Sequence, residues 1–121
     1  MKVLLAEDDP HIARLVAFKL EKEGFRVTIA EDGAQALERA RAEPFDLLLL
    51  DVMMPVLDGL QVLQELRRDP RLQGVPVVML SAKGHEKDVE RALSLGAVDY
   101  VVKPFHPQEL VERVRDAAKS R

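Results

Sequence analysis

Cysteine is absent from the 121 residues, so the chain has no disulfide framework, no thiolate zinc site and no thiol nucleophile. Tryptophan is also absent and Tyr100 is the only tyrosine, which leaves little ring surface for stacking on bases. No basic surplus exists: 18 Lys and Arg stand against 21 Asp and Glu, a formal charge of −3. Direct nucleic-acid binding by this domain is therefore not expected, and no helix-turn-helix segment follows it. No apolar run reaches the ~18 residues of a membrane span. Residues 1–6 form a short apolar run that meets acids at once, unlike a signal peptide. A soluble, cytoplasmic protein that leaves membranes alone is the expectation. Neither G-x-G-x-x-G nor G-x-x-x-x-G-K-[ST] occurs, which disfavours a nucleotide enzyme.

What is present reads as one domain over residues 1–121. One domain usually takes roughly 100–200 residues, and an apolar fraction of 47% can fill a core. Short apolar runs at residues 3–6, 26–30, 47–50, 75–80 and 100–102 predict strands. Longer amphipathic segments lie between them. Asp9 caps the first, with Pro10 at its first position and Gly24 ending it. Its apolar face is Ile12, Leu15, Val16 and Leu20. Residues 33–41 predict a weaker helix around Leu37 and Ala40. After the turn at Asp58-Gly59, Leu60, Leu63 and Leu66 lie along a third. Residues 85–95 predict a fourth, with Val89, Ala92 and Leu93 on one side. Leu110, Val111, Val114 and Ala118 mark the last, and residues 116–121 read as a frayed helix end or a linker stump. Five strand–helix units with short connections argue for a parallel sheet with helices on both faces. The run Leu47-Leu48-Leu49-Leu50, apolar at every position, suits a strand covered on both sides.

The strand ends are chemically biased. The first ends in Glu7-Asp8, the third in Asp51, the fourth in Ser81 and the fifth in Lys103. Ligands of open α/β sheets bind beyond the carboxyl ends of the strands, so these groups share one edge. Three close carboxylates repel unless one is protonated or a cation joins them. With no cysteine, and no histidine at these ends, the donors are hard oxygens. They select Mg²⁺, or a similar ion such as Mn²⁺. A lysine and a hydroxyl beside such a centre describe phosphoryl transfer better than proton transfer. Asp51, closing the most buried strand, is the candidate nucleophile. Blander readings stand beside these. Asp9 reads as a helix cap rather than a ligand. Glu7 and Asp8 alone read equally as loop acids, Ser81 alone as a loop serine, and Tyr100 as core. His11, His85 and His106 read as surface residues, and the methionines as core or loop filler.

The chain resembles the receiver domains of two-component response regulators. The resemblance rests on Val3-Leu4-Leu5-Ala6-Glu7-Asp8-Asp9, on Leu50-Asp51-Val52-Met53-Met54-Pro55 with Asp58-Gly59, on Ser81-Ala82, and on Tyr100-Val101-Val102-Lys103-Pro104-Phe105. It implies a flavodoxin-like (βα)5 three-layer sandwich with strand order 2-1-3-4-5. It implies a signal-transduction switch, phosphorylated on Asp51 by a histidine kinase or a histidine phosphotransfer protein. Asp8 is then a direct Mg²⁺ ligand, Glu7 acts mainly through metal-bound water, and the Met53 backbone carbonyl completes the protein's share with Asp51. Lys103 contacts the phosphoryl group, Ser81 turns toward it, Tyr100 moves inward, and Ala82 leaves room for the donor. A cis Lys103–Pro104 peptide is also implied. Catalysis is limited to weak self-catalysed transfer and hydrolysis, with small acyl phosphates as further donors.

Two other functional classes fit the same residues less well. A Mg²⁺-dependent phosphatase of the haloacid-dehalogenase type needs a second Asp two residues after the nucleophile, where Met53 stands here. An unphosphorylated interaction domain has no use for the full acid set. Met53, together with Lys83 two residues after Ser81, also implies a long-lived phosphoform. A homodimer through the fourth helix, fifth strand and fifth helix is suggested by Asp99 and Arg113 as one charged rung and Glu109 as half of another. Val89 and Val98 stand where charges are usual in such ladders.

Overall fold

The computed structural model describes residues 1–82 and 85–119. Elements follow in the order β1 (Lys2–Ala6), α1 (Pro10–Lys22), β2 (Arg26–Ala30), α2 (Gly33–Ala42), β3 (Leu47–Asp51), α3 (Gly59–Arg68), β4 (Val77–Ala82), α4 (Glu86–Ser94), β5 (Asp99–Lys103) and α5 (Pro107–Lys119). All five strands are parallel, in the order β2-β1-β3-β4-β5. This is the flavodoxin-like arrangement that the resemblance implied. Among the described residues no helix is long and apolar enough to cross a membrane.

Alternation along the strands divides the core in two. Leu4, Ala6, Leu48, Leu50, Val77 and Met79 pack with α2, α3 and α4. Val3, Leu5, Leu47, Leu49, Val78, Leu80 and Val101 pack with α1 and α5. Every residue of β3 is buried, as a strand covered on both faces requires. Order reverses between β1 and β3: the chain leaves β1 toward β2 and leaves β3 toward β4. The crevice at that switch point lies between the ends of β1 and β3, where Glu7 and Asp51 sit.

Caps set the helix starts. Asp9 accepts from the amides of His11 and Ile12, with Pro10 at the first position. Asp58 does more than turn the chain. With Gln61 it forms a reciprocal capping box on α3. The next residue, Gly59, packs so closely on the Asp51 carbonyl that a Cβ would collide with it.

Three sequence expectations change. Leu15 is not on the buried face of α1, being 71% exposed; Ala13, Val16, Ala17 and Leu20 form that face. At 100° per residue Leu15 lies about 200° from both Ala13 and Ala17, whose small side chains let the helix lie against the sheet. On α4, Val89 and Ala92 are buried but Leu93 is exposed. Val89 is thus a core residue and not an empty place in a surface ladder. The fourth strand starts at Val77 rather than Val75, because Pro76 has no N–H for the ladder. Of the tail, residues 120–121 lie outside the described residues, and α5 continues through Lys119.

Candidate functional site

Four strand ends converge. β1 delivers Glu7, which is buried, and the exposed Asp8; β3 ends on buried Asp51; β5 ends on Lys103; β4 carries buried Ser81. Parallel strands put all carboxyl ends on one edge, which is why residues up to 96 positions apart meet here.

Lys103 Nζ holds the centre. It donates to Glu7 Oε1 at 2.9 Å, to Glu7 Oε2 at 3.1 Å and to Asp51 Oδ2 at 2.5 Å. The other Asp51 oxygen, Oδ1, accepts from the Met53 amide at 3.1 Å. Asp51 is therefore oriented by both neighbours and caps no helix. The Lys103–Pro104 peptide is cis, as expected.

Burial governs the electrostatics. Enclosure pushes the Glu7 carboxyl up to about 8, and Asp51 beside it adds to the rise while Lys103 opposes it. Burial also pulls on Lys103 in the neutral direction, but its bonds to Asp51 and Glu7 outweigh this and raise it above its ordinary value. Glu7, Asp8 and Asp51 each offer an oxygen within 4.8 Å of the others. Such an all-oxygen, doubly buried set fits a hard divalent cation, which offsets the burial and the neighbouring Asp51 that otherwise keep a proton on Glu7.

Ser81 Oγ donates to the Ala82 carbonyl at 3.1 Å, and Ala82 is exposed. Tyr100 is 38% exposed and so is not plain core. Lys83 lies outside the described residues. His11 and His106 are exposed, and His106 Nδ1 accepts from the Gln108 amide at the start of α5. Met79 is core, Met54 packs against it half-buried, and Met53 is exposed in the loop after Asp51. The contact between Lys103 and Glu7 was not legible in the sequence; the shared strand edge was the one signal that could have suggested it.

The model of the response regulator receiver domain matches residues 3–115. The DNA-binding response regulator MtrA of Mycolicibacterium smegmatis is 46% identical over 94% of this chain and 49% of its own length. The phosphate regulon transcriptional regulatory protein PhoB of Escherichia coli is 42% identical over 94% of this chain and 50% of its own. The chain thus spans about half the length of these curated relatives. Among solved structures, the receiver domain of the sensor histidine kinase PA1611 of Pseudomonas aeruginosa superposes with a TM-score of 0.89 at 34% identity, covering 98% of this chain and 97% of that one. That structure has a magnesium ion coordinated in its active-site cleft. With its sheet order, its acid cluster and this match over nearly its whole length, the chain belongs to the response regulator receiver domain family.

Proposed function

We propose that residues 1–121 act as one receiver unit, a switch that takes a phosphoryl group on Asp51. One observation carries this: a buried carboxylate at the end of β3 has two further acids and an ammonium within reach. Receiver domains of this family work as switches rather than as turnover enzymes. At most, this one performs weak self-catalysed transfer and autodephosphorylation.

In the transfer step an Asp51 oxygen forms the new bond to phosphorus. The bond from phosphorus to the donor's imidazole nitrogen, or to the acyl oxygen of a small donor, breaks, and the donor keeps that electron pair. Lys103, now bound to Asp51 and Glu7, holds a phosphoryl oxygen instead. Mg²⁺, or Mn²⁺ in its place, held by Glu7, Asp8, Asp51 and the Met53 carbonyl, would neutralise the charge on the incoming group. Ser81 leaves the Ala82 carbonyl for the phosphoryl group, and Tyr100 moves inward from its half-exposed position. Driving such a switch from 1:99 to 99:1 takes about 5.5 kcal/mol of differential stabilisation.

A histidine kinase or a histidine phosphotransfer protein is the proposed donor, in a cytoplasmic setting. Such a partner needs apolar footing beside the acids. Ile12, Leu15, Phe105 and Pro107 line a hollow of about 420 Å³ next to Lys103 and Pro104. A homodimer through α4, β5 and α5 belongs to the same reading. Arg113 pairs with Asp99 at 2.8 Å and with Glu109 at 3.8 Å inside one chain, so these rungs are formed and partly exposed before any partner arrives. Exposed pairs of this kind contribute about 0–1 kcal/mol each. Light scattering before and after phosphorylation tests the dimer.

The test of the acceptor is intact mass after incubation with Mg²⁺ and acetyl phosphate. One added phosphoryl group on the wild type is expected, with none on Asp51→Ala and none in a chelator. An unmodified wild type, after a phosphorylated histidine phosphotransfer protein has also been tried as donor, would defeat the proposal.

A further inference from the structure

Arg67 stands in the last turn of α3, the helix that follows Asp51. Its side chain is half-buried, and its hydrogen bonds run to backbone carbonyls. Nε donates to Leu95 O at 3.1 Å and Nη2 to Gly96 O at 3.0 Å. Nη1 donates to Gln73 O at 3.1 Å and to Leu72 O and Val75 O at 3.4 Å each. Gln73 Nε2 returns a bond to the Arg67 carbonyl at 3.1 Å. One planar cation thus ties the C-terminal ends of two helices and the loop entering β4. The carbonyls at a helix C-terminus are its negative end, so a guanidinium there is favoured by charge as well as by its fork of donors. Gly96 completes the fit. Its φ is +96°, and a Cβ there would come within 2.9 Å of Arg67 Nε.

The C-terminal end of α4 is tied from several sides. Arg67 is joined there by the backbone bonds from Ala97 N to Ala92 O and from Val98 N to Val77 O, both within 3.0 Å. At the N-terminal end, His85 makes no side-chain cap, and the first three helical residues, Glu86, Lys87 and Asp88, are not buried. That end follows β4, the strand that carries Ser81. The cleft between α4 and β5 is lined by Ser81, Glu86, Val89, Leu93 and Tyr100, so tilting α4 changes the shape of the surface around Tyr100.

We propose that Arg67 is the pivot of the switch: it pins the C-terminal end of α4 to α3, so that a change at Ser81 swings the N-terminal end instead of shifting the whole helix. This rests on the phosphoacceptor reading for its trigger, though the pin itself is present without phosphate. Arg67 acts through α4 and is a positioning residue, not a catalytic one.

Hydrogen exchange by mass spectrometry, with and without Mg²⁺ and acetyl phosphate, tests it. In the wild type, phosphorylation should change exchange at residues 86–89 and leave residues 95–97 as they were. In Arg67→Met, phosphoryl uptake should be unchanged, while residues 95–97 exchange about tenfold faster in both states, as expected when a charged hydrogen-bond anchor is lost. The phosphorylation-dependent change at residues 86–89 should be largely lost or spread along the helix. Arg67→Lys keeps the charge without the fork, and Gly96→Ala presses on the same contact from the other side. Both should show the same pattern, and they carry the test if the Met variant does not fold. The proposal fails if these variants match the wild type at residues 95–97. It also fails if phosphorylation alters both ends of α4 equally in the wild type. Absence of phosphoryl uptake in the wild type is a different failure. It sinks the acceptor reading, while exchange without phosphate still decides whether Arg67 pins the helix.

Discussion

Lys103 Nζ lies 2.9 Å from Glu7 Oε1, and that contact joins the end of the last strand to the most enclosed acid in the site. Glu7 keeps its proton to about 8 because burial disfavours its charged form more strongly than Lys103 favours it. The folded chain therefore binds a proton that the unfolded chain releases near 4.5. The resulting stabilisation is complete below the unfolded value and is lost as pH rises toward about 8. In a chelator, stability should fall between about pH 5 and about pH 8, by up to about 1.4 kcal/mol per pH unit. Mg²⁺ should oppose that fall and stabilise most at the upper end, where Glu7 is ionised. Thermal melts across pH, with and without Mg²⁺, measure both effects, and Glu7→Gln should flatten the metal-free profile. A metal-free stability that rises over this range would contradict the assignment.

The loop after Asp51 bears on how long a phosphoryl group would last. Met53 is exposed there with an apolar side chain, and its amide is already bound to Asp51 Oδ1. Nothing in a thioether positions a water for attack. The wild-type phosphoform should persist well beyond seconds once donor is removed. Met53→Asn, which supplies an amide at the same place, should shorten its lifetime several-fold. Phosphate release from purified phosphoprotein reads both, and equal lifetimes would remove Met53 from the account.

Val56 has a φ of 70° and is exposed, with Leu57 N bonded to Pro55 O across it. A β-branched residue in the left-handed region costs on the order of 1–3 kcal/mol. Val56→Gly removes that strain, partly offset by the greater freedom of glycine when unfolded. Net stabilisation of about 1 kcal/mol is expected in urea unfolding. A destabilised glycine variant would mean that the valine side chain makes contacts worth more than the strain.

Two leucines of α1, alike on the sequence, should behave differently. Leu15→Ser should change stability by less than about 0.5 kcal/mol, since its side chain is exposed. Leu20→Ala should cost about 2–5 kcal/mol, since Leu20 is fully enclosed. If the hollow beside Lys103 seats a protein donor, Leu15→Ser should also slow transfer from that donor while leaving acetyl phosphate uptake intact. Equal slowing with both donors would place the defect at Asp51 rather than at docking.

Much of the candidate site was legible in the sequence. Glu7, Asp8, Asp51, Ser81 and Lys103 each follow or close an apolar run, and in a parallel sheet such positions share one edge whatever their spacing. Asp9 with Pro10 announced the start of α1 because a cap is a local interaction. The Asp58–Gln61 box was equally local and was there to be read. The charged ladder of the proposed homodimer drew less support from the sequence. Arg113 turns to Asp99 within its own chain, and Val89 turns into the core.

By itself the sequence determined what depends on neighbours along the chain: the alternation of strands and helices, the caps, and the acids and lysine at the strand ends. Tertiary structure alone decided what depends on distance between elements. The angular centre of the buried stripe on α1 follows from how closely Ala13 and Ala17 let it approach the sheet, which turns Leu15 outward. The position of Lys103 between Glu7 and Asp51, and the reach of Arg67 to the end of α4, arise because packing brings remote segments together. Periodicity states which residues share a face; only the packed fold states what that face meets.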